Sequence, residues 1–390
     1  MKQLIQQQSS QILDEAIAIR RHIHQHPELS FKEFETSKFI QSKLKEWGID
    51  FTSGIVETGI VALIRPEKET IKCIALRADM DALPITEKTD TPYRSVHEGV
   101  MHACGHDVHT AMLLGAAKVI NDNRDALNCQ VKLIFQPGEE KLPGGASLMI
   151  EQGVLENPKV DEIYALHVFP ELEAGKIGMR SGMYMASTDE IYMTVKGKGG
   201  HGAMPHQNID PILISAHLIT SLQQIVSRNC PPHIPCVLSF GRIEGLGATN
   251  VIPDKVELQG TFRTMDEKWR DKAHGLIQQH ASDLVKSMGG TIEVNIVRGY
   301  PFLENNPELT ESAREKAAQV LGADNITDLP LRLTAEDFSY FSQKIPSTFI
   351  RIGVRNEAKG ITKPVHNAEF DIDESAILTG IQTLLSQVML

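Results

Sequence analysis

"DEIYMTVKGK", residues 189–198, marks the point where the rhythm of the chain changes. It reads as a strand running into a Gly- and His-rich loop. A helix over 210–228 follows, then strands over 236–243 and 255–263, a long helix over 266–288, and the strand "TIEVNIV" at 291–297. The order is β-α-β-β-α-β, the split arrangement of ferredoxin-like domains. It closes within about 110 residues, a normal size for one domain.

On both sides of this unit the pattern is different. Upstream, a helix is expected over 10–26, with Ile12, Leu13, Ala16, Ile17 and Ile19 on one face. A second helix is expected after Ser30, started by a Ser30–Glu33 capping box and closed at Gly48. Strands are expected at 59–64, 72–79, 129–137 and 161–168, with helices at 110–122 and 145–153. Downstream come helices at 308–321 and 335–344, a strand at 348–353 and a last helix at 373–389. Strands alternating with helices predict an α/β domain with a mixed, largely parallel sheet. The chain of 390 residues is too long for one ordinary core. The expected organisation is an α/β domain over 1–183 and 298–390, interrupted by an inserted α+β domain over 184–297.

Composition narrows the function. Hydrophobic residues are 41% and charged residues 23%, with a formal net charge of −11. No Lys/Arg cluster offers a footprint for phosphate backbones, so nucleic acid is not an expected partner. No apolar run is long enough to span a membrane. The first residues carry no apolar signal core or cleavage site, and the five cysteines are odd in number and scattered. Both features lead to the expectation of a reducing cytoplasm.

Parallel strands converge on one edge at their C-termini, where such sheets bind ligands. Asp79 and Asp81 come after residues 72–78, Glu139 and Glu140 follow 129–137, His167 is at the end of 161–168, and His366 lies in the loop after 348–353. The segment "MHACGHDVHT" (101–110) enters a helix and offers His102, Cys104, His106, Asp107 and His109. Gly105 permits a bend that lets Cys104 and His106 grip one ion. A thiolate with an imidazole suits zinc, and also cobalt, nickel or manganese. Asp107 is placed to cap the helix or to serve as an outer partner of a ligand. His109 faces the site at i+3 from His106, toward substrate or the outer partners of a ligand, and His22 and His26 form an i, i+4 pair that could chelate but is expected at the surface or between domains. In "GEE" (138–140) the two glutamates point in different directions, so one can ligate while the other faces a water. The remaining cysteines read as small hydrophobes.

Together "RADMDALP", "MHACGHDVHTAMLLGAA", "FQPGEE", "ALHVFP", "GKGGHGAMPHQNIDPI", "ATNVIPD", "GTFRT", "AEDFSYF" and "VHNAEFDID" span nearly the whole chain. In this order they resemble the amidohydrolase branch of the aminoacylase/carboxypeptidase metallopeptidases, which includes hippurate hydrolase, N-acyl-amino-acid amidohydrolases and auxin-conjugate hydrolases. The resemblance implies a catalytic α/β domain with an inserted ferredoxin-like lid or dimerisation domain, and a homodimer or higher homo-oligomer. It implies two divalent metal ions per chain (Zn, Mn, Co or Ni) held by Cys104, His106, Glu140, His167 and His366, with Cys104 bridging. Glu139 matches the general base, His201 the residue that polarises the scissile carbonyl, and Asn250 a substrate contact; His109 is a further candidate for touching substrate. More distant relatives carry a ligating His where this chain has Arg77, which cannot ligate. His106 is then the replacement imidazole and Asp79 an outer partner that orients a ligand.

The implied reaction is hydrolysis of the amide bond of a small N-acyl amino acid. Rival readings are a dipeptidase or aminopeptidase, a non-catalytic metal-binding protein, and a thiol-redox protein. The last lacks a C-x-x-C pair.

Overall fold

Strand Cys73–Asp79 is buried at all seven positions and lies near the middle of an eight-stranded mixed sheet. The computed structural model describes all 390 residues. Four neighbouring strands run parallel: Gln130–Gln136, Cys73–Asp79, Glu162–Glu173 and Ser347–Arg355. Antiparallel strands Gly59–Ile64 and Phe51–Ile55 extend one side. Ile177–Met179 and Ile326–Asp328 extend the other. Such runs of Val, Ile, Leu and Ala are what a strand covered on both faces requires. Lys132 is the one charged residue inside strand Gln130–Gln136. Its ammonium donates to the carbonyls of Val154, Glu156 and Pro158, so a buried charge closes the end of the next helical segment.

Helices Lys2–Gln25, His106–Asp122 and Ser375–Met389 pack against one another and, with Pro307–Leu321, belong to the same compact unit. The first helix begins well before the expected residue 10. Ile5 and Ser9 extend the buried stripe of Ile12, Ala16, Ile19 and Ile23 backwards at i+3 and i+4 spacing, through a stretch whose glutamines hid it. The expected capping box does not form. Glu33 caps no N–H of helix Phe34–Glu46, and Ser30 Oγ donates instead to Asp81 Oδ2 at 2.6 Å. Strand 161–168 runs on to Glu173. The helix expected at 335–344 shrinks to the turn Ser339–Ser342. Helical bonding starts only after Asp337, whose side chain and N–H are engaged elsewhere in the fold.

This unit comprises Met1–Tyr184, Glu304–Leu331 and Asp337–Leu390; the second comprises Met185–Leu303 and Arg332–Glu336. In the second, four antiparallel strands lie in the order Cys236–Glu244, Lys255–Thr264, Asp189–Lys196, Thr291–Arg298. Helices Pro211–Gln224 and Glu267–Ser287 share its apolar core. Asp210 and Asp266 cap these helices through their carboxylates. Asp189 ties the first strand to the second helix: it takes Arg270 at 2.6 and 2.9 Å and His274 at 2.7 Å. No helix is long and apolar enough to cross a membrane.

Candidate metal centre

The parallel strands deliver their C-terminal residues to one edge. Asp79 is in register with Gln136, so "GEE" leaves the sheet beside the Asp79–Asp81 turn. His167 lies inside its strand, opposite Arg351. Helix His106–Asp122 starts at the same edge from Gly105, whose φ of 84° is left-handed. A side chain at 105 would be excluded twice, because its Cβ would lie 2.6 Å from Val168 Cγ2.

Five of the expected metal donors come together. Cys104 Sγ lies 3.5 Å from His167 Nε2. Cys104, His106 and His167 form one set of mutually close donor atoms, Cys104, Glu140 and His366 another, and His106, Glu139 and Glu140 a third; within each set the donors lie within 4.8 Å of one another. His167 Nδ1 donates to Val168 O at 2.8 Å, leaving the Nε2 lone pair facing the thiol. His366 Nε2 is 3.2 Å from Glu140 Oε1. Its backbone is held in the left-handed region (φ 62°), and its N–H donates to Ala103 O at 2.7 Å. Strained non-glycine backbone of this kind persists where the surroundings fix it.

The electrostatics favour a cation. Burial disfavours charge on the His106 ring, yet Asp79, Asp81 and Glu140 outweigh it and lift its pKa to about 10. Burial, with Glu140, Glu139 and Asp79, pushes the Cys104 thiol well above its ordinary value. His167 is held neutral, by burial first and then by Arg351 and His109. His106 Nε2 and Glu140 Oε1 are buried and make no hydrogen bond. Buried polar atoms are normally paired. Two orphaned donor atoms among thiol, imidazole and carboxylate groups fit a borderline-soft divalent metal.

Carboxylates on the protein side hold these groups in place. Asp81 accepts from His106 Nδ1 at 3.1 Å and from the Glu140 N–H at 3.0 Å. Glu33 accepts the Gly138 N–H at 2.9 Å and the Thr58 hydroxyl at 2.7 Å. Glu139 is 6% exposed, and its Oε1 accepts the Asp337 N–H at 3.3 Å. Asp79 accepts from Arg77 Nη1 and His109 Nδ1, each at 2.6 Å.

Two expectations change. His109 has no ring nitrogen to offer a substrate: Nδ1 donates to Asp79 and Nε2 accepts the Val168 N–H at 2.9 Å. Asp107 caps no helix N–H; it is buried against Arg20 at 2.7 Å and His24 at 2.8 Å. In "RRHIHQH" the buried histidine is His24, while His22 is exposed and His26 half-buried, their tilted rings 4.7 Å apart, as a surface role requires. Arg20 and His24 share the phase of the buried stripe, a signal the sequence carried. His102 is buried with neither ring nitrogen bonded and joins no donor set.

His201 and Asn250 lie in the second unit, both exposed. Strand pairing sets His201 opposite Val251, and the Gly202 N–H donates to Asn250 O at 2.8 Å. The two side chains thus sit on one small antiparallel ribbon. His201 Nδ1 accepts the Ala203 N–H at 3.0 Å.

Comparison with known proteins gives consistent matches. The profile of peptidase family M20/M25/M40 matches residues 75–389. Thermostable carboxypeptidase 1 of Saccharolobus solfataricus is 41% identical over 95% of this chain and 93% of its own. The N-acetyl-L-cysteine deacetylase of Bacillus subtilis is 41% identical over 93% of this chain and 84% of its own. A crystal structure of a dinuclear metal-binding peptidase of the M20 family, also from Bacillus subtilis, superposes with a TM-score of 0.83 at 34% identity. That match covers 97% of this chain and 98% of the other.

Proposed function

The chain belongs to peptidase family M20/M25/M40 and is an amidohydrolase; from that premise we propose that it hydrolyses the amide bond of small N-acyl amino acids, using two divalent metals. The single observation that carries this reading is the convergence of Cys104, His106, Glu140, His167 and His366 beside the carboxylate of Glu139. Those five residues would hold the metals, and their donor set suits zinc, manganese, cobalt or nickel, with supply deciding among them. Bound there, they supply Lewis acidity and a water acidified toward neutral pH.

The residues of the chain do the rest. Glu139 takes a proton from water as its oxygen attacks the acyl carbon. It then passes that proton to the amine nitrogen as the C–N bond breaks, releasing a carboxylic acid and a free amino acid. His201 polarises the acyl oxygen and Asn250 contacts substrate, and the second unit, expected over 184–297 and found over Met185–Leu303 with Arg332–Glu336, acts as lid or as contact surface between subunits. The N-acetyl-L-cysteine deacetylase relative supports an acyl substrate. The carboxypeptidase relative supports peptide cleavage as the second reading.

The test is a panel of N-acetyl and N-benzoyl amino acids and dipeptides, assayed with each of the four metals. Amine release from the acyl amino acids is expected, with Glu139→Gln inactive but fully metal-loaded. Turnover confined to dipeptides would favour the second reading, and an active Glu139→Gln would remove the base assignment.

A further inference from the structure

Asp337 lies outside the motifs that carry the five proposed metal ligands, yet its place in the fold bears directly on Glu139. Its carboxylate is fully buried and held from three directions. Oδ1 accepts from Arg77 Nη2 at 2.9 Å, and Gln136 Nε2 donates to both oxygens at 2.9 and 2.8 Å. Oδ2 also accepts the Ala146 N–H at 3.0 Å. Such a clamp fixes the main chain at 337, and the N–H of that same residue donates to Glu139 Oε1. The other two groups of Arg77 extend the frame. Nε donates to Gln136 Oε1 at 2.9 Å and Nη1 to Asp79, which holds His109.

We propose that Asp337 is the positioning residue for the Glu139 carboxylate, and that Arg77 and Gln136 are the buried strut that sets it. The inference rests on the reading of Glu139 as the base. It gives the "AEDF" segment a role, and it explains what an arginine does at a position where it cannot ligate metal. One guanidinium spans the Asp79 and Asp337 carboxylates, so the base and the histidine side of the centre share one rigid reference. A carboxylate that must be aimed within a few tenths of an ångström needs such support, and losing outer partners of this kind costs about 10- to 100-fold in activity or metal affinity.

The experiment compares wild type, Asp337→Asn, Gln136→Met and Glu139→Gln in the full-length, metal-loaded protein. For each, kcat and KM, metal content and thermal midpoint are read on one N-acyl amino acid that the wild type turns over. Asp337→Asn puts an amide nitrogen where donors now point, so kcat is expected to fall about 10- to 100-fold with KM and metal content unchanged. Gln136→Met, which is uncharged and near-isosteric, should lower kcat in the same direction by less, and it carries the test if Asp337→Asn does not fold. A merely structural clamp predicts a lower midpoint with wild-type kcat per folded, metal-loaded chain, and that outcome overturns the proposal. If Glu139→Gln is inactive while both clamp variants keep wild-type kcat, the positioning role falls and the base assignment stands. If Glu139→Gln stays active, the base assignment falls and takes this inference with it.

Discussion

At the scale of single residues, the sequence pointed to candidate donors more readily than to what holds them. Cys104, His106, Glu140, His167 and His366 were candidates through the motif resemblance, whose motifs fall on segments near predicted strand ends or a helix start. Glu33 was not: its apparent capping partner lay three residues away, whereas its carboxylate reaches the backbone of Gly138. Burial, with Asp81 nearby, raises the Glu33 pKa to about 7 against an ordinary 4.5. The folded state therefore keeps a proton that the unfolded state releases. The resulting stability is fully present below about pH 4.5 and is lost as pH rises to about 7, by at most about 3 kcal/mol. Glu33→Gln should flatten that fall. Urea unfolding of metal-free protein at pH 5 and pH 8 checks it; an equal fall in both proteins would show that Glu33 is not its source.

At the scale of elements, the boundary that matters most is the start of helix His106–Asp122. A left-handed Gly105 turns the chain between Cys104 and His106, and Val168 fills the space a side chain would need. Gly105→Ala combines a left-handed alanine with an overpacked contact, and is expected to cost about 2–4 kcal/mol. It should also weaken metal binding, because the two donors flank it. Adding Val168→Ala should restore the part due to the clash. Thermal melts and metal titration of the single and double variants measure this, and a wild-type midpoint for Gly105→Ala would refute the packing account. Strand and helix periodicity placed most elements to within a few residues. It failed at 335–344, where the spacing of a helix was present but the Asp337 clamp uses the groups that would have started it.

At the scale of the molecule, the metal donors span the chain from Cys104 to His366. An ion held by them ties distant segments together in the folded state alone. Added divalent metal should therefore raise the melting midpoint, by about 2.7 kcal/mol of stability at a hundredfold excess over Kd. Binding must displace the protons of His106 and Cys104, so the response should shrink as pH falls. Differential scanning fluorimetry against metal concentration and pH tests both points. A His106→Ala variant that responded like wild type would exclude this centre as the source.

By itself the sequence determined the α/β character, the β-α-β-β-α-β order of elements between strands Asp189–Lys196 and Thr291–Arg298, and the family. Local spacing and the ends of strands are written in consecutive residues. Only the tertiary structure decided which polar groups serve the site and which serve the frame. His109 became a partner of Asp79 rather than of substrate, and Asp107 a partner of Arg20 and His24 rather than a cap. Arg77 became a strut to Asp337, 260 positions away. Those assignments depend on the register of neighbouring strands and on which buried charges meet, and neither quantity is local.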